Sequence, residues 1–169
     1  TSGGLYCWGQ NYRGNLGIGS ISTNDPYYGI PSAVQVAGLL SGVIHVSLSF
    51  EGTCVVMSDH TTKCWGWYGI DYQPTQSMES LTPITFHGLP DPIEKISIGS
   101  LYACAWTVKD ELLCWGGNYY GELGDGTTQD SSTPVYVAGF GLEISRFEVN
   151  QAIGKNLLAD QLYIQLVAR

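Results

Sequence analysis

The chain has 169 residues, enough to bury a core as one domain, and its 7 Lys and Arg against 15 Asp and Glu leave a formal net charge of −8. So few, scattered cations exclude a nucleic-acid partner, which needs clustered Lys and Arg to displace counterions. No apolar run is long enough for a membrane span, so membrane insertion is not expected.

The 22 glycines, 5 tryptophans and 11 tyrosines suit many short strands joined by Gly-rich turns. Leu5-Tyr-Cys-Trp8 opens strand-like and breaks into Gly9-Gln-Asn-Tyr-Arg-Gly14-Asn-Leu-Gly17-Ile-Gly19, followed by a polar loop to Tyr28. Pro31 to Ala37 resumes a strand, with proline on an edge where it forfeits no ladder bond. Val43-Ile-His-Val-Ser-Leu48 alternates, placing Ile44, Val46 and Leu48 on one face. Thr53 to Met57 then turns back into Lys63-Cys64-Trp65. The order repeats: a loop containing Pro74, strands at Pro83 to His87 and Ile93 to Ile98, and a hairpin from Tyr102 to Trp115. A third round begins with Gly116-Gly-Asn-Tyr-Tyr-Gly121-Glu-Leu-Gly124-Asp-Gly126 and continues past Pro134 to Gly139.

Cys-Trp-Gly thus recurs at residues 7, 64 and 114, and the strand-opening prolines at 31, 83 and 134 are spaced 52 and 51 residues apart. Units of that period stack or radiate, and four short strands per unit is the size of a propeller blade. The expected fold is all-β: about three four-stranded repeats over residues 1–141 (about 1–30, 31–82 and 83–141), forming an incomplete β-propeller. Residues 142–169 are read as a β-rich tail or the start of a following module. Ile144 to Val149 and Leu162 to Val167 are strand-like there, and Lys155 stands where Cys104 stood one unit earlier.

Cys54 and Cys64 are separated like Cys104 and Cys114, each pair flanking a polar turn. If each is an antiparallel hairpin, the two cysteines face each other at a distance that suits a disulfide. The plainer alternative is free thiols buried in a core. Bridges at both positions would place the protein in an oxidising compartment: extracellular or cell-surface, with the periplasm as the other choice. By the same spacing the partner of Cys7 falls ahead of Thr1. Cys7 is therefore expected to be unpaired or to bond between chains, and the first unit to be incomplete.

Trp-Gly-x-Asn-x-x-Gly-x-Leu-Gly-x-Gly followed by a Thr-Pro strand resembles the regulator of chromosome condensation repeat. Trp115 to Gly126 with Thr133-Pro134 fits it closely and Trp8 to Gly19 nearly as well, while the middle unit keeps Trp65-Gly66 and Thr82-Pro83 but lacks the Asn and the Leu-Gly. The resemblance covers roughly residues 4–141 and implies a propeller, usually of seven blades. The Cys-x9-Cys hairpin is similar to the extracellular bacterial branch of that family. Glu148 to Ile153 and Leu166 to Arg169 faintly resemble the first strands of a β-sandwich module of large bacterial surface proteins.

Gly116, Gly121 and Gly124 are read as structural, admitting positive φ in the tight path after each tryptophan. Trp8, Trp65 and Trp115 are read as wedges between blades. No nucleophile elbow, zinc-binding His pair, P-loop or Rossmann glycine pattern is present, so no catalytic, metal or cofactor site is expected. Asp125 to Asp130 reads as an ordinary turn, since the full calcium-loop pattern is missing. What remains is a set of loop aromatics after the Trp-Gly turns, among them Tyr12, Tyr28, Trp67, Tyr68, Tyr119 and Tyr120, that should gather on one face, where the two readings are anchors for a ligand and rings that only cap the blades. The expected function is a non-enzymatic extracellular module, part of a larger secreted or surface protein, that binds a protein or glycan. The alternative is a self-assembling structural subunit, a filament or closed oligomer, in which copies pair open blade edges and donate the C-terminal strand. Guanine nucleotide exchange, as in the nuclear relative, is a remote third reading that the acidic charge disfavours.

Overall fold

The computed structural model describes residues 3–22, 29–50, 52–67, 79–90 and 92–140. Ten strands follow in order: β1 (Tyr6–Gly9), β2 (Ile30–Gln35), β3 (Val43–Leu48), β4 (Gly52–Met57), β5 (Thr62–Trp67), β6 (Glu79–Thr85), β7 (Ile93–Ile98), β8 (Tyr102–Thr107), β9 (Leu112–Gly116) and β10 (Ser131–Tyr136). Among the described residues there is no helix. The strands form a two-stranded sheet β1–β2 and two four-stranded sheets, β3–β4–β5–β6 and β7–β8–β9–β10. All pairings are antiparallel. The chain is thus all-β, built of four-stranded blades, and its first sheet leaves the propeller incomplete. The tail expected at 142–169 lies outside the described residues.

The sheets are phased later than the proline units. β2, β6 and β10, which carry Pro31, Pro83 and Pro134, each pair with the preceding tryptophan strand and close its sheet as the outermost member. An outer edge is where a residue without an N–H forfeits least, and the register shifts within each of these three pairings.

Tight polar turns join the inner strands. In the β4–β5 turn Asp59 Oδ1 accepts from Thr61 N at 3.0 Å and Thr61 Oγ1 at 2.6 Å. In the β8–β9 turn Thr107 Oγ1 accepts from Lys109 N and Glu111 N, both at 3.2 Å. The residues at positive φ are His60 (65°) and Asp110 (62°), types that tolerate the left-handed region better than most. These turns set Cys54 opposite Cys64 and Cys104 opposite Cys114. The structure joins each pair by a disulfide, with Cα–Cα separations of 4.1 and 4.0 Å. On the chain-entropy account, closing loops this short stabilises by about 2.5–3 kcal/mol each.

Cores lie between sheets rather than within one. Cys7, Leu16, Val36 and Leu39 of the first sheet and its loops pack on Val55 and Trp65 of the second. Cys54, Val56 and Cys64 of the second sheet pack on Ile93, Ile96, Ile98, Ala103, Ala105 and Trp115 of the third. β4 is accordingly buried on both faces, and the two-residue alternation seen in β3 disappears from it. Polar side chains of the second sheet also grip the backbone of β7. His45 Nε2 lies 2.7 Å from Ile96 O, Ser47 Oγ accepts from Ile98 N at 3.0 Å, and His60 Nδ1 lies 3.0 Å from Ile93 O.

Trp65 and Trp115 are buried at these junctions, 0 % and 2 % exposed, whereas Trp8 is 64 % exposed. Trp8 turns the face that its counterparts bury against a preceding sheet, and among the described residues no sheet lies there.

Candidate functional site

At the end of each tryptophan strand the chain leaves the sheet through a glycine. Gly116 has φ of 106°, and a Cβ there would stand 2.3 Å from Leu101 O. No other residue fits without moving the β7–β8 turn. Gly121 and Gly124 also have positive φ, at 83° and 64°.

The loop that follows is wound around one asparagine. Asn118 is fully buried; its Oδ1 accepts from Leu123 N at 2.9 Å, and its Nδ2 donates to Thr127 O at 3.1 Å and Gln129 O at 3.0 Å. Asn11 does the same in the first loop, accepting from Leu16 N at 3.0 Å and donating to Ser20 O at 2.7 Å. Short amides that replace missing backbone partners hold an irregular loop rigid. The sequence reading assigned neither asparagine a role; the signal was their fixed place two residues after Trp-Gly. Asp125 Oδ1 accepts from Thr127 N at 2.9 Å and Thr127 Oγ1 at 2.8 Å, making it a turn residue. Those hydrogen bonds hold its carboxyl below the ordinary value of 3.8. Asp59 is lowered in the same way by Thr61.

Rigid loops present exposed rings. Tyr119 and Tyr120 stand in solvent, edge to face with centroids 4.7 Å apart. Tyr12 is also exposed. Arg13 places its guanidinium 5.2 Å from the Tyr12 ring centre and 5.9 Å from that of Trp67, within cation–π range, so it bridges the first loop to the end of β5. Tyr12 and Trp67 are therefore drawn together through Arg13, while Tyr119 and Tyr120 meet only each other among the described residues. Tyr28 and Tyr68 lie outside the described residues.

Two further apolar side chains share this end, and the sequence reading passed over both. The β3–β4 and β7–β8 turns reach the same end as the glycine loops, because Gly52 pairs with Gly66, Tyr102 pairs with Gly116, and Gly117 N donates to Leu101 O at 2.8 Å. Phe50 and Leu101 in those turns are exposed. The opposite end carries the tight turns with Asp59, His60, Lys109 and Asp110. The first end gathers exposed rings, while the opposite end, polar in its tight turns, also exposes Leu40, Val108 and Phe140.

No group of three or more His, Cys, Asp or Glu side chains among the described residues is arranged to hold a metal. Cys7 is a free, buried thiol, and burial pushes its pKa up, which opposes nucleophilic chemistry there.

The Regulator of chromosome condensation (RCC1) repeat matches residues 2–56 and 109–148, more than half of the chain. The ultraviolet-B receptor UVR8 of Arabidopsis thaliana is 29% identical over 146 residues, which is 82% of this chain and 31% of UVR8. The crystal structure of human WBSCR16 superposes with a TM-score of 0.63 at 26% identity, covering 81% of this chain and 35% of its own. Prp20p of Saccharomyces cerevisiae shares the fold, with a TM-score of 0.61 at 14% identity over 79% of this chain and 34% of Prp20p. The chain thus spans about a third of the length of each of these proteins. With the repeat matched in sequence at both ends of the described region and its blades matched in structure, this chain belongs to the regulator of chromosome condensation repeat family.

Proposed function

We propose that the chain is a non-enzymatic, protein-binding propeller segment of a larger extracellular or cell-surface protein, and that it grips its partner with the aromatic loop end. The observation that carries this reading is the collection of Tyr12, Phe50, Leu101, Tyr119 and Tyr120, all exposed, at one end of the sheets. Exposed rings on loops already held rigid lose little entropy on binding, and such residues dominate interface energies. Prp20p has binding properties toward Gsp1p and histones, which supports protein recognition as a use of this fold. Two cystines support an oxidising compartment. A glycan is the other ligand class that exposed tyrosines suit.

The test compares the wild-type chain with Tyr119→Ala/Tyr120→Ala and with Asp59→Ala at the opposite end. Each is measured on glycan arrays and against fractionated extracellular proteins by surface plasmon resonance. The expected result is at least a tenfold weaker Kd for the tyrosine variant and none for Asp59→Ala, since losing a ring anchor costs about 1–2 kcal/mol or more. Loss of binding in Asp59→Ala with the tyrosine variant unaffected would move the site to the other end.

A further inference from the structure

Aligned on their Trp-Gly steps, the first and third glycine loops share a frame and differ in what they hang on it. Asn11 and Asn118 occupy matching places, and each accepts from the backbone N–H five residues further on. In that frame Tyr12 matches Tyr119, Arg13 matches Tyr120 and Asn15 matches Glu122. The first loop supplies its own cation, because the Arg13 guanidinium lies over Tyr12, 5.2 Å from the ring centre, and 5.9 Å from that of Trp67. Tyr12 is 50 % exposed beneath it, whereas Tyr119 and Tyr120 are 78 % and 84 % exposed. Residues 116–130 contain no Lys or Arg.

The two loops also place charge differently. Asn15 Nδ2 donates to Gln10 O at 2.9 Å, so the first loop turns that amide onto its own backbone. Glu122 sets a carboxylate at the tyrosine pair instead, its Oε2 accepting from Tyr120 N at 2.7 Å. Asp130 Oδ1 accepts from Asn118 N at 2.7 Å, which fixes a second carboxylate on the residue just before the pair. The two rings stand at 86° to one another and are largely in solvent. Ring faces attract a cation through their quadrupole, and a fixed carboxylate adds a charge-assisted hydrogen bond. The net charge of −8 favours encounter with a basic partner. A guanidinium can stack on a ring and fork onto a carboxylate, which an ammonium cannot.

We infer that Tyr119, Tyr120 and Glu122 form a subsite for an arginine side chain of a protein partner. The partner's arginine does for the third loop what Arg13 does for the first. This rests on the binding role proposed for the aromatic loop end and names the chemistry recognised there.

The probes are acetyl-Gly-Arg-Gly-amide and its citrulline counterpart, which keeps the shape of the arginine and lacks its charge. Each is titrated at low salt into the isotope-labelled 169-residue chain, and the backbone amides are followed by NMR. The arginine peptide should shift Tyr119, Tyr120 and Glu122 and bind about fivefold more tightly than the citrulline peptide. Glu122→Gln keeps an acceptor for Tyr120 N but removes the charge, and should erase most of that difference. Tyr119→Ala/Tyr120→Ala should abolish binding while an unmoved Leu123 amide shows the Asn118 frame intact. Equal affinity for the two peptides would overturn the subsite, as would an undiminished preference for arginine in Glu122→Gln or shifts confined to other loops. Shifts of the same amides with chain concentration alone, lost in Arg13→Ala, would assign the occupant to a second copy and overturn a separate partner. The wider reading fails differently: a captured protein would then bind the tyrosine variant as tightly as wild type. A captured protein that needs the tyrosines yet binds Glu122→Gln at full strength would keep the binding end and overturn the arginine.

Discussion

Trp65 and Trp115 hold the same place in consecutive sheets, yet their indoles are anchored by different means. Trp65 Nε1 donates to Asn15 O at 3.0 Å, and Thr53 Oγ1 donates to the same carbonyl at 2.9 Å. Its ring lies so close beneath the first loop that a Cβ at Gly17 would stand 2.6 Å from Nε1. Trp115 stacks on Phe86, with centroids 5.6 Å apart, and its Nε1 is buried without a partner among the described residues. Position 53 becomes Ala103 in the third sheet, removing the second donor, and the stretch that would supply the carbonyl falls in residues 68–78, outside the described residues. The first junction is therefore tied by loop hydrogen bonds. The second is tied by aliphatic burial and by His45, Ser47 and His60 on the backbone of β7. The same Cys-Trp step serves both because the tryptophan brings area to any neighbour, while its N–H is satisfied only where that neighbour offers a carbonyl.

The largest effect should come from removing either ring. Trp65→Ala and Trp115→Ala each leave a large cavity between sheets and should destabilise by about 3–5 kcal/mol, read as a lower urea midpoint. Equal losses would mean that area dominates both junctions. A loss confined to one would mean that the sheets unfold separately.

A gentler change separates the two anchors. Trp65→Phe removes the donor to Asn15 O and should cost about 1–2 kcal/mol more than Trp115→Phe, whose N–H has no partner among the described residues. The urea midpoints of the two variants measure this difference directly. If Trp115→Phe is the more damaging, the hydrogen-bond account of the first junction is wrong.

The smallest effect should come from acid. Asp125, with its carboxyl lowered by Thr127, stabilises its loop fully above the ordinary carboxylate value of 3.8, and that contribution fades as pH falls through the lower folded value. The matching position in the first loop is Ile18, which does not titrate. NMR should therefore show the amides of Leu123 and Thr127 shifting below about pH 4, while that of Leu16 stays still. Asp125→Asn should abolish the difference between the loops.

Strands, turns and the size of the blade were legible in the chain itself, because they depend on neighbours within a hairpin. Alternation in Val43 to Leu48, the polar turns at 58–61 and 109–111 and the recurring proline are local signals, and the four-stranded sheets follow from them. What lay beyond that reach was set by contact between units. The β4 strand shows no alternation because sheets lie on both its faces. Trp8 looks identical to Trp65 and Trp115 in its motif and differs only in what stands against it. Phe50 and Leu101 looked like ordinary turn residues until the pairing of Gly52 with Gly66 and Tyr102 with Gly116 brought their turns to the aromatic end. A repeated sequence specifies the shape of each unit through short-range hydrogen bonding. Which copies are buried, and which are left facing solvent, is decided only by the neighbour that packs against them.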